Sequence, residues 1–140
     1  MTEPEKVSSA PSNVLDGLRI LIVESNPDRA FLLTFILSEA GAQVIEANLA
    51  STGLFAIKQK LPDLVIIDLE LTDDNGFSLI KKIREDSSER NGQIPAIAIR
   101  PFHYTQRNST TEKESDFQEF IDCPIEVDVL IEAIVSLINR

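Results

Sequence analysis

The 140-residue sequence contains one cysteine, one histidine and no tryptophan. A single cysteine cannot form a disulfide framework, which is typical of a protein from a reducing compartment. One histidine together with one cysteine is too few for a structural zinc site. The apolar runs are all shorter than the ~18 residues that a membrane-spanning helix needs. These absences exclude disulfide-stabilised, zinc-stabilised and membrane-spanning folds.

Basic residues are scarce relative to acidic ones. There are 13 Lys and Arg residues against 23 Asp and Glu residues, which gives a formal net charge of -10. An acidic surface repels phosphate backbones and anionic lipid headgroups, so we expect neither a nucleic-acid nor a membrane partner. Hydrophobic residues make up 43% of the chain, as in an ordinary globular protein. The composition predicts one cytoplasmic globular domain.

The first residues differ in character from the rest of the chain. The opening "MTEPEKVSSAPSN" is rich in Pro, Ser and Glu and has no apolar segment of the kind found in a secretory signal. We therefore predict a flexible N-terminal tail over 1–16. Residues 17–140 show no internal linker and are predicted to form one domain.

Short apolar runs alternate with amphipathic segments from residue 19 onwards. Strands are predicted over 19–23, 42–47, 63–68, 95–99 and around 120–121. Helices are predicted over 27–41, 49–60, 77–86 and 127–139. This alternation indicates right-handed βαβ units. The predicted fold is an α/β, doubly wound domain with a five-stranded parallel sheet, (βα)5.

Acidic residues end two of the predicted strands. Glu24 and Ser25 follow the first strand, and Asp68 ends the third. In open parallel sheets, ligands bind beside the carboxyl ends of the strands. The first and third strands are neighbours in such a fold, so we expect Glu24 and Asp68 to face one crevice. Two converging carboxylates are suited to a hard divalent cation.

Four segments occur in the order and at the spacing of the motifs of one known family. They are "LIVESNPD" (21–28), "PDLVIIDLELTDDNGF" (62–77), "IPAIAI" (94–99) and "FIDCPI" (120–125). Together they resemble the receiver (CheY-like) domains of two-component response regulators, over about 17–140. The resemblance implies the flavodoxin-like (βα)5 receiver fold and a role in phosphorelay signal transduction.

The resemblance also implies roles for residues at the strand ends. Asp68 matches the aspartate that accepts a phosphoryl group. Glu24, Asp68 and the main-chain carbonyl of Glu70 match the ligands of a magnesium ion. Ser25 stands where the family has a second acid that contacts the metal, and a neutral hydroxyl is a poorer magnesium ligand than a carboxylate. We therefore expect Mg²⁺ to bind only weakly.

Three further positions match residues that respond to the phosphoryl group in the family. Arg100 replaces a Thr or Ser that hydrogen-bonds this group, and Cys123 replaces a Lys that pairs with its charge. Phe120 matches an aromatic residue that changes rotamer. Because phosphoryl transfer depends on positioning and on neutralising charge, these replacements predict a degenerate site, a pseudo-receiver.

Three functions follow from these observations. The first is a non-enzymatic pseudo-receiver that acts by binding a signalling protein partner, without efficient phosphorylation. The alternative is a working single-domain response regulator that a histidine kinase phosphorylates on Asp68. A small-ligand binder or enzyme on a flavodoxin-like fold is disfavoured, because the sequence has no Gly-rich phosphate loop and no nucleophile–base pair.

Two expectations concern the structure around the site. Glu24 and Asp68 should repel each other when no metal or lysine is present. Arg100 ends the neighbouring fourth strand and can donate two hydrogen bonds to a carboxylate, so we expect it to pair with Asp68. The segment 103–115 has no amphipathic pattern. We therefore expect fast amide exchange over 104–115.

Overall fold

The computed structural model describes residues 13–86, 88–104 and 116–139. Within them, five strands form one parallel sheet in the order β2-β1-β3-β4-β5. The strands are β1 (Arg19–Val23), β2 (Gln43–Ala47), β3 (Leu64–Asp68), β4 (Ala96–Arg100) and β5 (Glu119–Asp122). Because β1 and β3 are neighbours, their carboxyl ends lie side by side at one edge of the sheet.

The helices follow the predicted order. They are α1 (Pro27–Glu39), α2 (Ala50–Lys60), α3 (Gly76–Arg84), the one-turn helix α4 (Glu89–Gly92) and α5 (Val127–Ile138). The sequence did not predict α4, because four residues are too few to show a helical period. The prediction of a doubly wound α/β domain with a five-stranded parallel sheet is confirmed.

Two apolar cores lie on opposite faces of the sheet, because successive strand residues point to opposite faces. One core contains Ile20 and Ile22 of β1 and the buried faces of α1 and α5. The other contains Leu21 and Val23 of β1 and the buried faces of α2 and α3. All five residues of β3 are buried, as expected for a strand covered on both faces.

The start of α1 is fixed directly after the end of β1. The side chain of Asn26 accepts a hydrogen bond from the N–H of Arg29, and Pro27 occupies the first helical position. Both residue types favour a helix start at these positions. The third helical residue, Arg29, is therefore held beside the carboxyl end of β1.

The boundary of the N-terminal tail was predicted too late. Residues 13–16, which the prediction placed in the tail, lie in a turn. Leu15 is buried in the core of α1 and α5, and its N–H donates to the carbonyl of Ala40 at 2.8 Å. The contact was hard to predict, because Val14 and Leu15 form an apolar pair too short to show a helix or strand period. Residues 1–12 lie outside the described part of the chain.

Two further expectations can be placed against the structure. The expected fast exchange over 104–115 stays a prediction, since 105–115 lie outside the described residues. Within 13–86, 88–104 and 116–139, no helix has the length and apolar character to cross a bilayer.

Candidate functional site

Two buried carboxylates lie at the ends of β1 and β3. Glu24 is 2% exposed and Asp68 is 1% exposed. Val23 and Ile67 are partners in the parallel register, so the residues that follow them are also adjacent. Burial of a charged group is costly unless the charge is paired, hydrogen-bonded or removed by a proton. The pair therefore needs compensation from its surroundings.

Arg29 supplies a positive charge to both carboxylates. Its Nε donates to Oε1 of Glu24 at 3.0 Å, and its Nη2 donates to Oδ2 of Asp68 at 3.0 Å. The side chain of Arg29 is 23% exposed, and it reaches inward from the first turn of α1. Burial disfavours its charge, but the hydrogen bonds and charges of Asp68 and Glu24 outweigh this effect and raise the pKa of Arg29. We call Glu24, Arg29 and Asp68 the Arg29 bridge.

The remaining carboxylate oxygens are also hydrogen-bonded. Oε2 of Glu24 accepts from the N–H of Asn26 at 3.1 Å. Oδ1 of Asp68 accepts from the N–H of Glu70 at 2.8 Å. Each of the four carboxylate oxygens thus has a donor from the protein itself.

The environment of Glu24 favours its neutral form. Burial, followed by the hydrogen bond and the charge of Asp68, raises the pKa of Glu24 to about 8, against smaller opposite effects of Asn26 and Arg29. The site therefore favours protonation of Glu24 more than water favours that of an exposed carboxyl group. With one carboxylate neutral, the positive charge of Arg29 balances the negative charge of Asp68.

Ser25 contacts neighbouring loops. Its hydroxyl donates to the carbonyl of Asn48 at 2.6 Å and accepts from the N–H of Thr72 at 3.1 Å. The Ser25 hydroxyl therefore links the end of β1 to the loop before α2 and to the loop after β3.

The prediction that Arg100 pairs with Asp68 is wrong. Nε of Arg100 donates to Oδ1 of Asp122 at 2.6 Å, and its guanidinium lies 4.7 Å from the centroid of the Phe120 ring. Arg100 and Asp122 are partners in the register of β4 and β5, so the nearest acid lies on the adjacent strand end. The cation beside Asp68 is Arg29, which the sequence reasoning missed because it considered only residues at strand ends.

The other two predicted switch positions lie at the end of β5. The ring of Phe120 packs against Phe117 at a centroid distance of 5.6 Å and against Phe77 at 6.5 Å. Cys123 is half-buried, and its N–H donates to the carbonyl of Arg100 at 2.9 Å. Burial raises the pKa of the Cys123 thiol, and the nearby positive charge of Arg29 opposes this effect only in part. Cys123 therefore supplies no positive charge to the site.

The proposed metal ligands are only partly assembled. Glu24 and Asp68 converge as predicted, and the main chain of Glu70 lies beside Asp68, to which it turns its N–H. In the described part of the chain, no group of three or more His, Cys, Asp or Glu side chains is arranged to hold a metal ion. The carboxylate oxygens of the Arg29 bridge already accept from protein donors. As they stand, these residues do not fit a magnesium ion.

Comparisons with known proteins agree with the fold. The chain is 30% identical over 112 residues to an uncharacterized 14.6 kDa protein of Leptolyngbya boryana, covering 80% of this chain and 83% of that protein. It is 26% identical to Protein PilH of Pseudomonas aeruginosa, over 86% of this chain and 97% of PilH. Among solved structures, a CheY-like response regulator receiver domain from Methylobacillus flagellatus superposes with a TM-score of 0.75 at 25% identity, covering 86% of this chain and 98% of that one.

A family model described as "Response regulator receiver domain" matches residues 20–135. This range contains β2 to β5, all of β1 except Arg19, and both carboxylates of the Arg29 bridge. The chain therefore belongs to the response regulator receiver domain family.

Proposed function

We propose that this chain is a pseudo-receiver, a receiver domain that signals by binding a partner protein and is not efficiently phosphorylated on Asp68. The observation that carries the proposal is the Arg29 bridge. A cation that belongs to the chain itself contacts both carboxylates at 3.0 Å. The domain then has compensation for its buried acids without a metal ion.

The first argument against efficient phosphorylation concerns the binding of Mg²⁺. Receiver domains typically bind Mg²⁺ at the phosphorylation site. Here the Ser25 hydroxyl is occupied by Asn48 and Thr72, and Glu24 favours its protonated form. A metal ion would have to displace the Arg29 guanidinium and release a proton from Glu24. Both steps oppose binding.

The second argument concerns the availability of the Asp68 carboxylate as the nucleophile. To attack a phosphodonor, Asp68 needs a free carboxylate oxygen, yet it is 1% exposed. Its Oδ2 accepts from Arg29 and its Oδ1 accepts from the Glu70 N–H. Charge stabilisation of the transferred group is also reduced, because Cys123 is neutral and Arg100 is paired with Asp122.

The surface of α1 supports the role of partner binding. Phe31 and Phe35 lie one turn apart on this helix and are 75% and 57% exposed. Leu32, which is 41% exposed, adjoins them. Exposed apolar patches of this kind mark interaction sites more often than single apolar residues do. We therefore assign the partner surface to α1.

Phosphorylation tests the proposal directly. We expect intact-mass spectrometry to show little or no added phosphoryl group after incubation of the chain with acetyl phosphate and magnesium. Asp68→Asn is the matched control, because it removes the acceptor and keeps the shape of the side chain. Rapid and stoichiometric modification that Asp68→Asn abolishes would instead establish the alternative function, a receiver phosphorylated on Asp68 by a histidine kinase.

A variant with the family's residues restored at the site serves as the positive control. Ser25→Asp, Arg29→Ala and Cys123→Lys together return the missing acid and lysine and remove the competing guanidinium. We expect this triple variant to gain phosphorylation on Asp68.

Partner binding through α1 is tested in a strain that lacks the native protein. There, Asp68→Asn should restore signalling and Phe35→Ser should not. The reverse pattern would contradict partner binding through α1.

A further inference from the structure

Three loops at the carboxyl edge of the sheet are joined by one hydroxyl group. Ser25 donates to the Asn48 carbonyl at 2.6 Å and accepts from the Thr72 N–H at 3.1 Å. Its oxygen also lies 3.3 Å from Oγ1 of Thr72. A serine hydroxyl has one hydrogen and two lone pairs, and the hydrogen is used by Asn48. Thr72 is therefore the donor in the hydroxyl pair, and Ser25 has no unused capacity.

A second link joins the loop after β3 to the start of α2. The carboxylate of Asp73 accepts from the N–H of Ala50 at 2.7 Å and from the N–H of Ser51 at 3.1 Å. The residue at the N-cap position of α2, Leu49, makes no side-chain hydrogen bond to the helix. Asp73 thus performs the capping that Leu49 cannot, from a different loop. These bonds also lower the pKa of Asp73, with the Ala50 N–H as the largest cause.

We propose that Ser25, Thr72 and Asp73 form a loop clasp that holds the loop after β3 against the loops after β1 and β2, with no metal or phosphoryl group required. The clasp needs a hydrogen donor at position 25, since the Asn48 carbonyl can only accept. A carboxylate there would face that carbonyl without a hydrogen to share. Ser25 therefore has a structural role, in addition to replacing an acid that would bind a metal ion. This inference does not depend on whether Asp68 is phosphorylated.

The clasp predicts a pattern of amide protection that can be measured residue by residue. In the wild-type chain without metal, the Thr72, Ala50 and Ser51 amides should exchange slowly, and added magnesium should leave their rates unchanged. Ser25→Ala should accelerate exchange of the Thr72 amide by about tenfold, since it removes every hydrogen bond of the Ser25 hydroxyl to Asn48 and Thr72. Asp73→Ala should accelerate the Ala50 and Ser51 amides by a similar factor. Ser25→Thr, which keeps the hydroxyl, should retain protection.

Two references separate the clasp from a general loss of stability. Ser78→Ala is the matched control, because its hydroxyl donates to Asp74 at 2.9 Å, within the connection between β3 and α3. It should leave the Thr72 amide unchanged. The Ile66 amide in the buried strand β3 reports on global opening. Equal acceleration of the Thr72 and Ile66 amides in Ser25→Ala, or an unprotected Thr72 amide in the wild type, would overturn the proposal. Failure of the proposed function would appear in the phosphorylation assay and would leave this pattern intact.

Discussion

The Nη2 atom of Arg29 lies 3.0 Å from Oδ2 of Asp68, across the gap between α1 and the end of β3. Through its Nε, the same guanidinium holds Glu24 at 3.0 Å. A fork of fixed donors can serve two carboxylates at once, whereas a lysine offers a single charged atom. The position of Arg29 thus explains how two acids remain buried side by side in this domain.

Removal of Arg29 should leave the Asp68 carboxylate without a charged partner. We expect Arg29→Met, which keeps much of the side-chain volume, to lower the free energy of unfolding at pH 7 by about 1–3 kcal/mol. The effect should be smaller than for a fully buried pair, because Arg29 is 23% exposed. Urea unfolding measures the change. Arg100→Met is the control: its partner Asp122 is 69% exposed, and such a pair contributes about 0–1 kcal/mol. A larger loss from Arg100→Met would contradict the assignment.

The stability of the domain should fall as the pH is raised through about 8. In the folded state the pKa of Glu24 is raised to about 8 from an ordinary value of 4.5. The folded state therefore binds a proton more tightly than the unfolded state does. The resulting stabilisation is fully present below pH 4.5 and is lost as the pH rises through 8.

Glu24→Gln isolates this contribution, because the amide cannot ionise. Between pH 5 and pH 9 we expect the wild type to lose on the order of 2–4 kcal/mol of unfolding free energy that Glu24→Gln does not lose. Chemical denaturation at a series of pH values gives both curves. Parallel curves for the two proteins would show that Glu24 does not carry a raised pKa.

Magnesium should bind the wild-type chain poorly and a corrected variant better. Ser25→Asp combined with Arg29→Ala supplies the missing acid and frees the oxygens that Arg29 now contacts. We expect this double variant to bind Mg²⁺ at least about tenfold more tightly than the wild type does in a calorimetric titration. Asp68→Asn in the double-variant background should remove the gain. Submillimolar binding by the wild type, abolished by Asp68→Asn, would show that Arg29 does not exclude the metal.

The close approach of α2 to β1 depends on Gly53. A Cβ added at this position would lie 2.8 Å from Cγ2 of Val23, which is closer than carbon atoms pack. Alanine favours a helix by about 1 kcal/mol over glycine, but forced overpacking costs about 1–3 kcal/mol. We expect Gly53→Ala to destabilise the wild type by about 1 kcal/mol or more, and to be neutral or stabilising in a Val23→Ala background. Thermal unfolding of the four proteins tests this coupling.

The fold could be predicted from the sequence because β1, β3 and β4 are short, largely apolar runs, and because α1 begins with a clear start signal. Asn26 and Pro27 illustrate this, since both occupy the capping positions expected of them. The meeting of Glu24 and Asp68 followed from one further rule, that the first and third strands of such a sheet are neighbours. The order of the strands therefore predicted where the two carboxylates meet, but not which cation pairs with them.

The cation of the site was misassigned because side-chain reach is not part of the strand pattern. Arg29 lies in a helix, where a charged residue is most often solvated, and its spacing of five residues from Glu24 matches no regular helix or strand period. For Arg100, the strand register would have predicted the correct partner. The last residues of β4 and β5 are partners in the sheet, so Asp122 is the nearer acid. The capping of α2 by Asp73 involves 22 or more residues of separation and has no local signature.

Labelling of the Cys123 thiol can report on opening of the structure at the end of β5. Cys123 is the one cysteine in the sequence, and it lies half-buried where β5 ends. Burial raises the pKa of its thiol, so the reactive thiolate is scarce at neutral pH and alkylation should be slow. A maleimide can react with only this sulfur atom, and its labelling rate reports how often the end of β5 becomes accessible. Wild type and Arg29→Met can therefore be compared by mass spectrometry without the introduction of any foreign label site.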